Sequence, residues 1–281
     1  MNPSQPKLRL KDRRRRLMWV KVAAGTTVVA VSVALVFYVS HLPSIMIATV
    51  DVSGTNLVSA DQVRSVASEK LSGSYIYLVP HANVFLAPVR SIVTAIEQSF
   101  PPVASVSVSR NNLTTLHVAI MERKPTALWC AGIPSGEISA DGNASSTSAH
   151  AESGCYLMDS GGFVFAKSSG TEGYVRFYGT LSGNPIGRRY LSGDFASLDT
   201  IVKDIGESIH RTPEDVLVDN DSKDVSLAFS EGGILRFIRT TDRQTVLENV
   251  ASVFGSQGFK QNPDFEYVDF RFGDKVYVKF K

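Results

Sequence analysis

The chain has 281 residues and a formal net charge of +2, and that small number conceals a split. Residues 1–21 carry eight basic side chains against the single acid Asp12, and the rest of the chain holds 21 basic and 26 acidic side chains. An acidic remainder with no basic-aromatic run excludes a broad nucleic-acid surface, and the length allows one or two folded units.

Directly after Lys21, residues Val22–Leu42 contain no Asp, Glu, Lys or Arg. As a helix this run is about 31 Å long, the thickness of a bilayer's hydrocarbon core. A signal peptide has a shorter apolar region and a small-residue cleavage site, so residues 22–42 read as an uncleaved transmembrane helix behind a cytoplasmic basic tail, residues 1–21. Arg13, Arg14, Arg15 and Arg16 then act as the topology signal that keeps the N-terminus in the cytoplasm and sends the rest across the lipid bilayer. Three other readings compete, of which a twin-arginine export signal is weakened by the missing cleavage site. A buried core helix rarely carries Val, Ala, Phe and Leu on every face, and a nucleic-acid role for the arginines fits poorly with their place at the membrane edge.

Residues 45–121 predict a small β-α-α-β-β domain. Val50 and Val52 alternate along a strand that Ser53-Gly54 stops. Ser59 and Gln62 have capping-box spacing, and Val63, Val66, Ala67 and Leu71 form one helical stripe. Pro88 suits a first helical turn, and Val89, Ile92, Val93, Ile96 and Phe100 make a second stripe, ended by Pro101-Pro102. Val106 and Val108, the Asn111-Asn112 turn, and Leu116, Val118 and Ile120 give a hairpin.

Residues 122–281 predict a mainly β domain with helix added, so the fold class is α+β. Thr126–Cys130 and Cys155–Leu157 can pair as hairpin arms. The insertion between them, residues 131–154, is rich in Ser, Gly and Ala and cannot bury a core, which predicts a mobile loop. Cys130 and Cys155 are a disulfide candidate at its base; two buried free thiols are the alternative. No Cys/His spacing suits a metal. Leu198, Ile201, Val202, Ile205 and Ile209 have helical spacing, as do Val246, Val250, Val253 and Phe254. Glu214-Asp215 reads as a helix start or a loop. Near the end, Val268, Phe270 and Phe272 are expected on one face and Tyr267, Asp269 and Arg271 on the other. Gly273-Asp274 then makes a type II′ turn into a last strand, Lys275–Lys281. With no chain after it, that strand is expected to offer a free edge to a partner strand, its Lys275, Lys279 and Lys281 favouring an acidic segment. The same lysines could instead guard the edge against aggregation.

Three runs in order, VDVSGTNLVSADQV, AIEQSFPPVASVSVSR and TTLHVAIMERKPTALW, resemble the FtsQ-type POTRA domain of the bacterial FtsQ/DivIB cell-division family. YLMDSGGFVF resembles that family's YL-x-D-x-x-G-x-VF run, and YVDFRF its YVDLRY end. The resemblance implies a non-enzymatic divisome scaffold in the bacterial inner membrane at the septum. It implies binding of a coiled-coil FtsB/FtsL-like (DivIC/FtsL) pair and of other divisome proteins, with no cofactor, metal, nucleic acid or small-molecule substrate. It also carries partner binding to Arg271, Phe272, Tyr277 and Val278, to which the edge-strand reading adds Lys275 and Lys279. The five histidines and many serines form no hydrolase or metalloprotease motif. A POTRA-bearing secretion component and an anchored envelope enzyme are the alternatives.

Overall fold

The computed structural model describes residues 10–76, 79–132, 154–219 and 221–281. The chain forms two compact units, Met1–Glu122 and Arg123–Lys281.

Unit 1 opens with α1, Leu10–Ser40. Its 31 residues make a helix of about 46 Å, so the turns carrying Arg13–Arg16 prolong the apolar run as one continuous helix. The stretch Arg13–Ser40 is long and apolar enough to cross a membrane, and none of its most apolar part is buried in the protein. The helix stops at Ser40 and not at the expected Leu42. Leu42 precedes Pro43 and adopts the extended conformation (φ −64°, ψ 126°) that the proline ring imposes on its predecessor.

The rest of unit 1 is the expected α+β fold. β1 (Thr49–Ser53) leads to α2 (Ala60–Leu71), then to a two-strand ribbon of β2 (Ser74–Tyr75) and β3 (Val79–Pro80) that the expected β-α-α-β-β order does not contain. α3 (Val89–Ser99), β4 (Val103–Arg110) and β5 (Thr115–Glu122) complete it. The sheet order is β1-β5-β4, with β1 parallel to β5 and β4 antiparallel to it. A parallel neighbour requires a crossover, which α2 and α3 supply. Val63, Ala67, Leu71, Ile92 and Ile96 from the helices pack on Val50, Val103, Leu116, Val118 and Ile120 from the sheet.

The capping box is not made. Ser59 stands at the N-cap of α2 without a side-chain bond to the helix. The loop before α2 is held from elsewhere: Glu122, at the end of β5, accepts the backbone N–H groups of Asn56, Leu57 and Val58 at 2.8–2.9 Å. Pro88 takes the cap position of α3, and the helix proper starts at Val89.

Unit 2 is a nine-stranded sheet. In chain order its strands are β6 (Ala127–Cys130), β7 (Cys155–Met158), β8 (Val164–Lys167), β9 (Arg176–Tyr178), β10 (Pro213–Val218), β11 (Asp224–Phe229), β12 (Ile234–Ile238), β13 (Phe265–Phe272) and β14 (Lys275–Phe280). In space the order is β14-β13-β12-β11-β10-β9-β6-β7-β8. Helices α4 (Phe195–Ile209), α5 (Arg243–Phe254) and α6 (Gln257–Gln261) share one core with the sheet. Leu198, Ile201, Val202 and Ile205 of α4 and Val246 and Val250 of α5 lie over Val216, Leu227, Leu235, Phe265 and Val268.

Cys130 and Cys155 are register partners on β6 and β7 and are joined by a disulfide. Residues 133–153, which hold nearly all of the expected mobile loop, lie outside the described residues. Glu214 and Asp215 stand in β10 and not in a helix start or loop. Arg176 on the neighbouring β9 pairs with both, at 2.8 Å and 2.5 Å, so a strand can accommodate two adjacent acids. Pro213 occupies the strand's first position, where its missing N–H does no harm.

A candidate partner-binding edge

The hairpin β13–β14 ends the sheet. Its turn has the expected form: Gly273 takes φ +62°, Asp274 follows, and Phe272 pairs with Lys275 across the two-residue loop. β14 pairs with β13 on one side and lies at the end of the strand order, so its other side faces no strand among the described residues.

Side chains along β14 alternate. Val276 and Val278 are partly buried against the unit 2 core, and the Phe280 ring lies 5.0 Å from that of Phe259. Lys275, Tyr277 and Lys279 are exposed on the other face. Of the residues expected to bind a partner, Val278 therefore directs its side chain inward and can offer only backbone. Lys279 is tied to Glu266 at 2.7 Å.

Phe272 does not share a face with Val268 and Phe270. Asp269 pairs with Tyr277 and Phe272 with Lys275, so Phe270 and Arg271 of β13 stand opposite the single residue Val276. This bulge re-aims the end of β13. Arg271 and Phe272 both emerge on the face of Tyr277, where the Phe272 and Tyr277 rings meet edge-on at 5.1 Å. Phe272 is 54% exposed and Tyr277 50%. Strict alternation in the sequence hides such a turnover, because it shows only once the register of β14 is known.

Arg271 is built in. Its guanidinium donates to Asp269 at 2.7 Å and to Asp224 of β11 at 2.5 Å. The Asp269 hydrogen bond, the largest cause, raises the arginine's pKa. Asp269 is only 4% exposed. Burial works to raise its carboxyl, but the side chain and backbone N–H of Arg271, with the charges of Arg271 and Arg236, hold it below the usual carboxylate range. Arg271 thus braces the bulge through Asp269 and Asp224, while Phe272, Tyr277 and Lys275 form the accessible surface. Asp224 and Asp269 escaped the sequence reading as its partners; Asp224 is 47 residues away along the chain, but Asp269 stood two positions before the arginine.

Arg13, Arg14, Arg15 and Arg16 are exposed on α1.

Two features of unit 1 explain the motifs that flank it. Gly54 has φ +81°, and a Cβ there would lie 2.1 Å from the Ile120 carbonyl oxygen. Glu122, the first residue of the Glu122-Arg123 (ER) pair inside the TTLHVAIMERKPTALW run, clamps the loop that follows Gly54. Arg123, the first residue of unit 2, donates to Asp159 at 2.6 Å and lies 4.2 Å over the Phe163 ring. Residues 46–123 match the profile of the POTRA domain, FtsQ-type. Unit 1 contains an FtsQ-type POTRA domain. No curated protein matches the chain. The POTRA match agrees with the FtsQ/DivIB resemblance of the flanking runs, and it ends where the ER pair hands over to unit 2.

The Glu122 clamp makes the POTRA domain sensitive to acid. Burial acts to raise this carboxyl, but the three backbone N–H groups together pull it below its ordinary value. A carboxylate whose folded pKa is depressed contributes stability above its unfolded value, near 4.3, and loses that contribution as pH falls through the folded value. The domain is expected to loosen below about pH 4, and Glu122→Gln to remove that dependence while lowering stability at pH 7. Hydrogen exchange of Asn56–Val58 across pH 3–7 reads both effects.

Proposed function

We propose that this protein is a non-enzymatic, single-pass scaffold of the bacterial divisome. Arg13–Arg16 keep its N-terminus in the cytoplasm, α1 anchors it in the inner membrane, and both units stand outside that membrane at the septum. Unit 2 recruits a coiled-coil FtsB/FtsL-like (DivIC/FtsL) pair, and the POTRA domain meets other divisome proteins. The observation that carries this reading is the end strand β14, with an open side and the exposed Phe272–Tyr277 pair beside it. A partner segment adding as a further strand satisfies the free backbone groups of β14, and its outward side chains lie against Phe272 and Tyr277. Lys275 at the turn favours an acidic residue in that segment. The FtsQ-type POTRA domain and the apolar helix before it support the division setting.

The test is co-purification of the full chain from cell membranes, with identification of the retained membrane proteins. The intact chain is expected to retain a small single-pass coiled-coil protein. Tyr277→Ala combined with Phe272→Ser is expected to lose most of it, because exposed aromatics at the centre of an interface commonly contribute 2 kcal/mol or more, roughly a thirtyfold change in affinity. Unit 2 should keep its unfolding midpoint, since both side chains are half exposed. Equal retention by both forms would move the site away from β14. Absence of any coiled-coil partner from the intact chain would remove the division reading.

A further inference from the structure

The POTRA domain carries an apolar surface that is left open among the described residues. Tyr75 is 40% exposed, Ile76 84%, Phe85 60% and Leu86 51%. They belong to one small structure: Tyr75 Oη donates to the Leu86 carbonyl at 3.1 Å, joining the β2 side of the ribbon to the loop before α3. Ile76 sits at φ +49°, a conformation that costs a β-branched residue and gains it no packing here.

The position of this surface identifies what covers it. Asn83, 3% exposed, donates through Nδ2 to the carbonyl of Ser40, the last residue of α1, at 3.2 Å. Its Oδ1 accepts the N–H of Phe85 at 3.0 Å. Ile47 donates to the Ala82 carbonyl at 2.7 Å and Val84 to that of Ile45 at 2.9 Å. These bonds hold Phe85 and Leu86 beside the point where the chain leaves the apolar helix. The sequence agrees with a lipid neighbour. From Leu71 to Val89 there is no Asp, Glu, Lys or Arg, and Lys70 and Arg90 flank the stretch. Aromatic and aliphatic side chains between basic flanks, with no acid to be repelled by anionic headgroups, make an interfacial membrane contact.

We infer that Tyr75, Ile76, Phe85 and Leu86 dock into the outer leaflet of the bilayer that α1 crosses, and so hold the POTRA domain at a fixed tilt on the membrane. This rests on the anchoring role of α1 proposed above. Asn83 joins the loop carrying Phe85 and Leu86 to the end of α1 at Ser40, so the lipid around α1 is the occupant assigned to this surface.

Site-directed nitroxides test this on the full chain alone in vesicles of phosphatidylethanolamine and phosphatidylglycerol. The two native cysteines are in the disulfide and do not take the label. Labels are placed by Ile76→Cys and Phe85→Cys, by Val29→Cys within α1, and by Ser107→Cys on the exposed face of β4. Collision rates with oxygen and with a water-soluble nickel chelate report depth. The expected result is a severalfold lower nickel-chelate rate at positions 76 and 85 than at 107, with oxygen access approaching that at 29. If 76 and 85 are as wet as 107 while 29 is dry, the docking inference is wrong and the anchor stands. If 29 itself is wet, the anchor fails and the inference with it. Spin–spin broadening at 76 or 85 would assign the surface to a second copy of the chain and overturn the lipid assignment.

Discussion

A Gly54→Ala substitution is expected to destabilise the POTRA domain by about 4 kcal/mol and to leave unit 2 intact. Two costs add. An alanine at φ +81° occupies left-handed backbone, worth roughly 1–2 kcal/mol. Its Cβ would also lie 2.1 Å from the backbone oxygen of Ile120, which cannot rotate away as a side chain could. Relief requires β1 and β5 to separate at the Ser53–Ala119 pair, next to the core residues Val118 and Ile120. Gly273→Ala is the control. Gly273 also has positive φ, +62°, but nothing lies within 4 Å of an added Cβ, so only the conformational cost of about 1 kcal/mol is expected. Hydrogen exchange across the whole chain checks both: Gly54→Ala should deprotect residues 46–123 broadly, and Gly273→Ala should affect only the β13–β14 hairpin. Protection of 46–123 unchanged in Gly54→Ala would mean that the β1 end can shift at no cost.

These two glycines also mark how far the sequence could be read. The β-α-α-β-β order of unit 1 was legible because each element has its own signal: alternating valines in β1 and β4, and stripes of buried residues at helical spacing in α2 and α3. The terminal hairpin was legible for the same reason, with Gly273 in the place its turn requires. Features fixed by distant partners were not. Ser59 has the spacing of a capping box, yet the N–H groups of that loop go to Glu122, more than sixty residues away along the chain. β9 is three residues long, too short for a periodic signal, and holds its place between β6 and β10 through Phe177 packed on Phe195 and through Arg176 bound to Asp215. The candidate edge was found from its position at the end of the strand pattern. Only the face of Phe272 was misplaced, because a one-residue bulge turns it over, and a bulge depends on register between two strands.

The bulge separates two kinds of residue at the candidate edge, and Arg271 is the place to test that separation. Arg271→Ala is expected to cost unit 2 about 3 kcal/mol. The substitution leaves Asp269 buried with its strongest partner gone and removes the link from β13 to Asp224 on β11. Breaking a buried pair by deleting one member costs about 3–5 kcal/mol, and the low end applies because the arginine itself retains some exposure. Asp269 then loses the hydrogen bonds that hold its pKa down. A depressed carboxyl contributes stability above its unfolded value of about 3.9 and loses it as pH falls through the folded value. The cost of Arg271→Ala should therefore be largest near neutral pH and shrink as pH falls through the depressed folded value of Asp269, below which the carboxyl is protonated with or without the arginine. Chemical unfolding followed by Trp129, which is 5% exposed in the unit 2 core, measures it. Tyr277→Ala under the same conditions should leave the midpoint nearly unchanged, because its ring is half exposed and touches mainly Phe272. In the partner-capture assay the order of specificity reverses: Tyr277→Ala loses capture with unit 2 still stable, whereas Arg271→Ala loses capture only in proportion to the population in which the bulge has opened. Adding a stabilising osmolyte should then restore capture to Arg271→Ala and not to Tyr277→Ala. If Arg271→Ala keeps full stability yet abolishes capture, the guanidinium contacts the partner directly, and the interface extends from β14 across the sheet face toward β11.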